Sequence, residues 1–204
     1  MHVFFFGDSL TLGFGDEEVL GWPGRLCAAT RNGPALSLTP YNLGVRRACA
    51  ASIRARLKDE IERRLVPGDP ALVVLSFGVA EVWHGLPMEQ SLADARALLE
   101  EACAAWPTLC VGPLPVAPKD RERAAQASGS IARLSQALHG LCDTLHIPYL
   151  EVYQALSADA DYIRDVRAAD GLHPTAAGYA TIAGLVGQWP AWRDALHKGL
   201  HTKP

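Results

Sequence analysis

Short apolar runs alternate along the chain with longer segments in which apolar positions recur every three or four residues. The short runs predict buried β-strands, and the longer segments predict amphipathic helices. The predicted strands are residues 2–6, about 36–42, 71–77, 108–112 and about 148–152. The predicted helices are residues 22–31, 50–65, 89–105, 121–145 and 175–187, each within a few residues.

This alternation predicts an α/β fold, a three-layer α/β/α sandwich with a five-stranded parallel sheet. The run Ala71-Leu72-Val73-Val74-Leu75-Ser76-Phe77 is apolar almost throughout, as expected of a central strand that helices cover on both faces. The chain has 204 residues, of which 49% are hydrophobic, and no low-complexity or linker segment divides it. We therefore expect residues 1–204 to form a single domain.

A serine follows the first predicted strand in Gly7-Asp8-Ser9-Leu10, where a glycine allows the chain to bend sharply out of the sheet. A serine hydroxyl is a weak nucleophile unless a base accepts its proton. Near the other end of the chain, Asp170 precedes His173 by three residues, close enough to hold Nδ1–H of the ring while Nε2 faces the serine. Either segment alone is also typical of an ordinary turn or helix start. Together they predict a catalytic triad of Ser9, His173 and Asp170.

The segments Gly7-Asp8-Ser9-Leu10 and Asp170-Gly171-Leu172-His173-Pro174 resemble the first and last sequence blocks of the GDSL or SGNH hydrolases. These are serine esterases, acylhydrolases, thioesterases and carbohydrate deacetylases. The resemblance spans essentially the whole chain and implies a flavodoxin-like sheet with strand order 2-1-3-4-5. It also implies hydrolysis of small carboxylic esters or thioesters through an acyl-serine, with no metal or organic cofactor.

The segment Tyr41-Asn42-Leu43-Gly44-Val45 resembles the family's Asn-x-Gly block. The resemblance implies that the backbone N–H groups of Gly44 and Ser9 form the oxyanion hole.

The third family block is where this chain departs from the pattern. Family members usually carry Gly-x-Asn-Asp after the third strand, and the matching residues here are Gly78-Val79-Ala80-Glu81. The family's asparagine donates a side-chain N–H to the oxyanion, whereas Ala80 has no polar side-chain atom. Losing one such donor typically lowers turnover about a hundred- to a thousand-fold.

The favoured hypothesis is a working serine esterase or acylhydrolase of small substrates. The alternative, motivated by Ala80 and Glu81, is a catalytically weakened protein that keeps the fold and binds an acyl or sugar ligand with little turnover. A third hypothesis, a flavodoxin-like domain that binds a phosphate-bearing ligand, is less favoured. The loop after the first strand has no glycine-rich phosphate cradle, and Asp8 would repel a phosphate.

Glu81 has two interpretations, a structural carboxylate that caps backbone amides near the strand end, or a charge that faces the site and opposes an oxyanion. Four apolar or aromatic residues that follow strand ends are candidates to line an acyl pocket: Phe14, Trp83, His84 and Leu114. Packing of their loops over the sheet is the equal alternative.

The formal net charge of -3 gives no electrostatic reason to bind nucleic acid or an anionic membrane. The basic residues of segment 54–64 alternate with acidic ones at helical spacing, which predicts a solvated helix face. No run approaches the roughly 20 apolar residues of a membrane span. The expected partner is a small-molecule ester or thioester substrate.

Five cysteines, an odd number without a C-x-x-C pair, have apolar or small neighbours: Cys27, Cys49, Cys103, Cys110 and Cys142. This favours buried thiols in a reducing compartment. The first predicted strand begins at residue 2, so we expect no signal peptide and a cytoplasmic protein.

His197 and His201 are four residues apart, but a solvated tail is a better interpretation than a metal site. The stripe Trp189, Trp192, Leu196 and Leu200 fits docking on its own domain better than on a second subunit, and it leaves the oligomeric state open.

Overall fold

The computed structural model describes residues 1–30 and 38–201, with side chains as far as residue 198. Five strands form one sheet in which every pairing is parallel: β1 (His2–Gly7), β2 (Thr39–Gly44), β3 (Ala71–Ser76), β4 (Thr108–Val111) and β5 (Tyr149–Leu150). Their spatial order is β2-β1-β3-β4-β5. The predicted five-stranded parallel sheet and the strand order implied by the family resemblance are both confirmed.

Helices connect the strands and cover the sheet. In the described ranges they are α1 (Ser9–Leu12), α2 (Gly21–Thr30), α3 (Ala50–Glu62), α4 (Val79–Trp83), α5 (Met88–Ala105), α6 (Arg121–Thr144), α7 (Tyr153–Ala158), α8 (Ala160–Ala168), α9 (Ala176–Gln188) and α10 (Pro190–His201).

The side chains of β1 show how the core is divided. Val3 and Phe5 belong to one apolar cluster, Phe4 and Phe6 belong to the other, and all four are completely buried. Successive side chains of a strand point to opposite faces, so both faces of the sheet are covered by apolar residues. The molecule therefore has the predicted three layers.

The structure shifts several predicted elements. β2 begins at Thr39 and ends at Gly44, two residues beyond the predicted end, and the predicted start at residues 36–37 lies outside the described residues. β5 has only two residues, where five were predicted. The helices α1, α4, α7 and α8 were not predicted, and the first two are too short for a helical period to appear in the sequence.

The predicted solvated face of α3 is confirmed. Four ion pairs join residues four apart along α3 and the turn that follows it: Arg56–Glu60, Lys58–Glu62, Arg63–Asp59 and Arg64–Glu60. The described part of the C-terminal stripe docks on its own chain, since Trp192 and Leu196 are buried in the cluster that contains Phe5. The side chain of Leu200 lies outside the described residues.

The prediction that all five thiols are buried is wrong for two of them. Cys27, Cys110 and Cys142 are buried, but Cys103 is exposed and Cys49 is half-buried. Ala102, the residue before Cys103, is buried, but Ala104 after it is exposed. Small neighbours along a helix occur on both its faces, so they carry no information about burial. Among the described residues, no helix is both long and apolar enough to cross a bilayer.

Candidate active site

Ser9 lies at the carboxyl end of β1, where the chain turns directly into α1. Asp8 is the N-cap residue of α1, with an extended backbone and a carboxylate that accepts the N–H of Leu10 at 2.8 Å. A Cβ on Gly7 would come within 2.2 Å of the carbonyl oxygen of Ser76 on β3. Only glycine fits at this position, because β1 and β3 approach each other so closely there. The glycine lets the chain turn directly after β1, and this turn presents Ser9.

Three side chains form a hydrogen-bonded series at this edge of the sheet. Nε2 of His173 lies 2.8 Å from Oγ of Ser9, and its Nδ1 lies 2.7 Å from Oδ2 of Asp170. The other carboxylate oxygen of Asp170 accepts the backbone N–H groups of Leu172 and His173, both at 2.8 Å. The structure thus brings together Ser9, His173 and Asp170, the residues that the sequence predicts to meet.

The environment of Asp170 keeps its carboxyl group ionised. Partial burial alone would raise the pKa of Asp170, but the hydrogen bonds from the His173 ring and from two backbone amides outweigh this effect. The net result is a pKa below the ordinary value. An ionised carboxylate at this place accepts Nδ1–H of the imidazole, which leaves Nε2 as a proton acceptor facing Ser9.

The loop between α1 and α2 supports the imidazole ring. The ring of Phe14 packs edge-on against that of His173, with centroids 4.7 Å apart. The hydroxyl of Tyr179 on α9 donates to the carbonyl of Phe14 at 2.8 Å, and Oε2 of Glu17 accepts the N–H of Ala176 at 3.0 Å. These bonds attach the Phe14 loop to the start of α9, immediately after His173.

A second support comes from α8, which the sequence did not reveal. Asp165 accepts the backbone N–H of Thr175 at 2.9 Å and its hydroxyl at 2.7 Å. Thr175 is the N-cap residue of α9 and follows His173 by two residues. The role of Asp165 could not be predicted because its helix was not recognised. An Asp at the N-cap of α8, Asp159, was the available signal.

The two backbone donors predicted for an oxyanion hole have different surroundings. The N–H of Ser9 is at the first position of α1, where a helix offers no internal acceptor. The N–H of Gly44 donates to Oδ1 of Asn42 at 3.1 Å. The amide group of Asn42 in turn donates to the carbonyl oxygens of Thr11 and Leu12. To serve in an oxyanion hole, the N–H of Gly44 would therefore have to donate to the oxyanion as well as to Oδ1 of Asn42.

Ala80 lies in the first turn of α4 and is 7% exposed, and its methyl group offers no hydrogen bond. The next residue, Glu81, accepts the N–H of Ala50 at the start of α3, at 2.8 Å through Oε1. Its Oε2 is buried without a hydrogen-bond partner in the described part of the chain. Burial raises the pKa of Glu81, and the bond from Ala50 opposes that rise only in part. Of the two interpretations of Glu81, the structure supports the capping carboxylate.

Asp8 is a second buried carboxyl group beside Ser9. Burial raises the pKa of Asp8 to about 7; the N–H of Leu10 opposes the rise, and the charge of Glu81 adds to it. The backbone N–H of Ala80 also lowers the pKa of Asp8, so this one side chain interacts with α4 as well as with α1.

The four candidate pocket residues do not line one pocket. Trp83 and His84 line a cavity of about 570 Å³ whose lining includes neither Ser9 nor His173. Phe14 packs on the His173 ring, and the guanidinium carbon of Arg46 lies 4.0 Å from the centroid of the Phe14 ring. Leu114 is 1% exposed within the core, so loop packing, the alternative interpretation, describes it. In the described residues, no group of three or more His, Cys, Asp or Glu side chains is placed to hold a metal ion.

A family model described as the GDSL-like lipase/acylhydrolase family matches residues 5–181. No curated protein matches the chain.

Similar solved structures include a lipase/acylhydrolase from Enterococcus faecalis, with 19% identity and a TM-score of 0.76 over 97% of this chain and 96% of that one. A member of the lipolytic G-D-S-L family from Veillonella parvula has 18% identity and a TM-score of 0.74, over 91% and 96%. An acetylxylan esterase from Geobacillus stearothermophilus has 14% identity and a TM-score of 0.72, over 99% and 94%. At these identities the likeness is one of fold.

Proposed function

This chain belongs to the GDSL-like lipase/acylhydrolase family, and on that premise we propose that it is a serine esterase or acylhydrolase that cleaves small carboxylic esters or thioesters. The observation that carries the proposal is the series of hydrogen bonds from Ser9 through His173 to Asp170, at 2.8 and 2.7 Å. Such a series provides a nucleophile, a base and a group that orients the base.

In the proposed reaction, Oγ of Ser9 attacks the carbonyl carbon of the substrate while Nε2 of His173 takes the hydroxyl proton. The carboxylate of Asp170 stabilises the imidazolium that forms. The backbone N–H groups of Ser9 and Gly44 stabilise the oxyanion of the tetrahedral intermediate. The alcohol or thiol then leaves with the proton from His173, and an acyl-serine remains. Water enters, loses a proton to His173 and attacks the acyl group, which releases the acid and restores Ser9.

A second candidate function has its own support. Ala80 offers no side-chain donor, and the N–H of Gly44 already has an acceptor in Asn42. Both features weaken oxyanion stabilisation and favour a catalytically weakened protein of the same fold, which binds an acyl or sugar ligand with little turnover.

Labelling with a fluorophosphonate probe tests the first proposal, because the probe reacts with a serine that an adjacent base activates. We expect wild-type protein to be labelled at Ser9, with the site assigned by peptide mass spectrometry. Ser9→Ala and His173→Ala should not be labelled. Ser157→Ala is the matched control, since Ser157 is an exposed serine on α7, and this variant should be labelled like the wild type.

Hydrolysis of an ester panel of increasing acyl length, beside Ser9→Ala, separates the two candidates. Turnover that depends on Ser9 supports the esterase. Labelling at Ser9 without measurable turnover of any ester supports the weakened protein. A folded wild-type protein that is not labelled at Ser9 contradicts the esterase proposal.

A further inference from the structure

An exposed arginine, Arg46, lies close to the candidate triad. Its guanidinium carbon is 4.0 Å from the centroid of the Phe14 ring. That ring packs edge-on against the His173 ring, with centroids 4.7 Å apart. A single aromatic ring therefore separates the guanidinium of Arg46 from the imidazole that activates Ser9.

The backbone holds Arg46 beside the oxyanion donors. Arg46 follows Gly44 by two residues and lies in a turn that the N–H of Ala48 closes by donating to the carbonyl of Val45, at 3.0 Å. The N–H of Val45 donates in turn to the carbonyl of Gly7 at the end of β1, also at 3.0 Å. The turn that carries Arg46 is thus attached to the strand that presents Ser9.

Arg46 has no acidic partner. All 22 Asp and Glu residues of the chain lie in the described ranges, and none of them forms an ion pair with Arg46. The acidic residues of the loop that carries Phe14 have other partners: Asp16 and Glu18 pair with Arg25, and Glu17 accepts the N–H of Ala176. A positive charge beside the triad is therefore left without a counter-charge.

The stacked position of Arg46 suits it to bind an anion. Stacking uses the flat face of a guanidinium and leaves its N–H groups, which lie in the plane, able to donate. These N–H groups match the two oxygens of a carboxylate, which a guanidinium binds in a bidentate manner. A guanidinium that already packs on a ring also has less freedom to lose when an anion binds.

The position of Arg46 indicates which part of a substrate it meets. In the reaction proposed above, the alcohol or thiol leaves with the proton from Nε2 of His173, so the leaving group lies at the imidazole. Phe14 packs on that imidazole, and Arg46 lies over Phe14. A phosphate monoester carries up to about two negative charges, whereas a carboxylate carries the single charge that one guanidinium balances.

We propose that Arg46 is a specificity-determining residue that binds a carboxylate on the leaving group of the substrate. This inference rests on the proposed esterase function. The favoured substrates are then esters or thioesters of an alcohol, phenol or thiol that itself carries a carboxylate.

Hydrolysis of 3-acetoxybenzoate, compared with that of 3-acetoxybenzamide, tests the proposal. The two acetates have nearly the same shape and differ in the charge of the leaving group, and the 4-isomers form a second pair with the charge farther from the ester. For at least one pair, the ratio of kcat/KM for the carboxylate to that for the amide should be about fivefold lower in Arg46→Gln than in the wild type. Arg46→Lys should keep part of the preference, and added salt should reduce it in the wild type.

Arg47→Gln is the matched control. It removes the same charge from the next residue, whose guanidinium lies over no aromatic ring in the part of the chain that the structure describes. This variant should keep the wild-type ratio, and the circular dichroism of each variant reports whether it is folded. An unchanged ratio in folded Arg46→Gln for both pairs, or an equal fall in Arg47→Gln, would overturn the proposal.

Binding to Ser9→Ala separates this proposal from that of the esterase. In NMR titrations that follow the backbone amides, Ser9→Ala should bind the favoured acetoxybenzoate about fivefold more tightly than its amide. Ser9→Ala/Arg46→Gln should lose this difference. If the wild type hydrolyses neither ester but the difference is present, the esterase proposal fails and the carboxylate-binding role of Arg46 stands. If hydrolysis depends on Ser9 but neither assay responds to Arg46, the esterase stands and the role of Arg46 is refuted.

Discussion

Asp8 and Glu81 are two carboxyl groups, each less than 5% exposed, on either side of the turn that presents Ser9. Each is buried for a structural reason, since Asp8 caps α1 and Glu81 caps α3. Burial raises the pKa of both groups, and the charge of Glu81 raises the pKa of Asp8 further. The turn that carries Ser9 is therefore flanked by two carboxyl groups whose pKa values lie above the ordinary ones.

The raised pKa of Asp8 predicts a pH dependence of stability. Its value is 3.8 in an unstructured chain and about 7 in the folded protein, so the folded state binds the proton more tightly. The resulting stabilisation is complete below pH 3.8, falls as the pH rises and is lost above about pH 7. Asp8→Asn cannot titrate but keeps an oxygen that accepts the N–H of Leu10. The free energy of unfolding, measured with urea at several pH values, should fall less steeply with pH in this variant than in the wild type. Parallel curves would show that Asp8 does not titrate in this range.

Ala80 provides a direct test of the oxyanion hole. If a missing donor limits the rate, Ala80→Asn should raise kcat on p-nitrophenyl acetate, by as much as about a hundred-fold if the new N–H reaches the oxyanion. Ala80→Leu is the control, because leucine resembles asparagine in size but has no donor. An increase in both variants would mean that shape rather than hydrogen bonding changes the rate. An unchanged kcat in Ala80→Asn would mean that another group already fills this role.

At the scale of single residues, the sequence predicted the features that depend on residues close to one another along the chain. Ser9 follows a strand and a glycine, and Asp170 and His173 lie three residues apart, so their local spacing was readable. The bond between Gly44 and Asn42, and the choice between pocket lining and loop packing for Leu114, depend on how loops from different strands meet. No pattern along the chain encodes that meeting, so the sequence did not predict the bond and left both interpretations of Leu114 open.

The start of α3 illustrates how an element depends on a distant side chain. No helix supplies an acceptor for its own first N–H groups, and Oε1 of Glu81 accepts that of Ala50. Glu81→Ala should lower the free energy of unfolding by about 1–3 kcal/mol, because a buried N–H is left without an acceptor. Urea denaturation at pH 8 measures the change.

Two further variants identify the cause of any loss. Glu81→Gln keeps a side-chain oxygen and removes the buried charge, so its stability should equal or exceed that of the wild type. Glu89→Ala is the matched control, since Glu89 is exposed in the first turn of α5 and its loss should have little effect. If Glu81→Gln is as destabilised as Glu81→Ala, the charge rather than the cap stabilises this region.

Among whole elements, length decided which could be predicted. The helices α3, α5 and α6 extend over 13, 18 and 24 residues and were found within a few residues of their ends. The helices α1 and α4 have only four and five residues, and they lie in the tight turns that follow β1 and β3. Their formation depends on tertiary contacts, which a periodicity cannot show.

For the molecule as a whole, the two apolar clusters have different compositions but share one sheet. One contains the rings of Trp22 and Trp192, which both contact Phe5. The other contains Cys110 and Cys142, with Phe4 and Phe6. Because β1 supplies alternate side chains to both clusters, we expect loss of packing on one face of the sheet to disturb the other.

This shared sheet leads us to propose that residues 1–204 fold as a single cooperative domain, and coincident unfolding transitions test it. Tryptophan fluorescence of a Trp83→Phe/Trp106→Phe variant reports one cluster, because the remaining residues Trp22, Trp189 and Trp192 all lie in or against it. Reaction of Cys110 and Cys142 with a thiol reagent, followed by peptide mass spectrometry, reports the other, and exposed Cys103 serves as the control that reacts without urea. Labelling of Ser9 by the fluorophosphonate reports the candidate site.

All three probes should change at the same urea concentration, because Ser9 and His173 meet only when strands from both ends of the chain are paired and packed. Separate midpoints for the tryptophans and the buried thiols would show that the two faces of the sheet unfold independently. Loss of Ser9 labelling before either transition would show instead that the segment carrying His173 opens locally while the sheet remains intact.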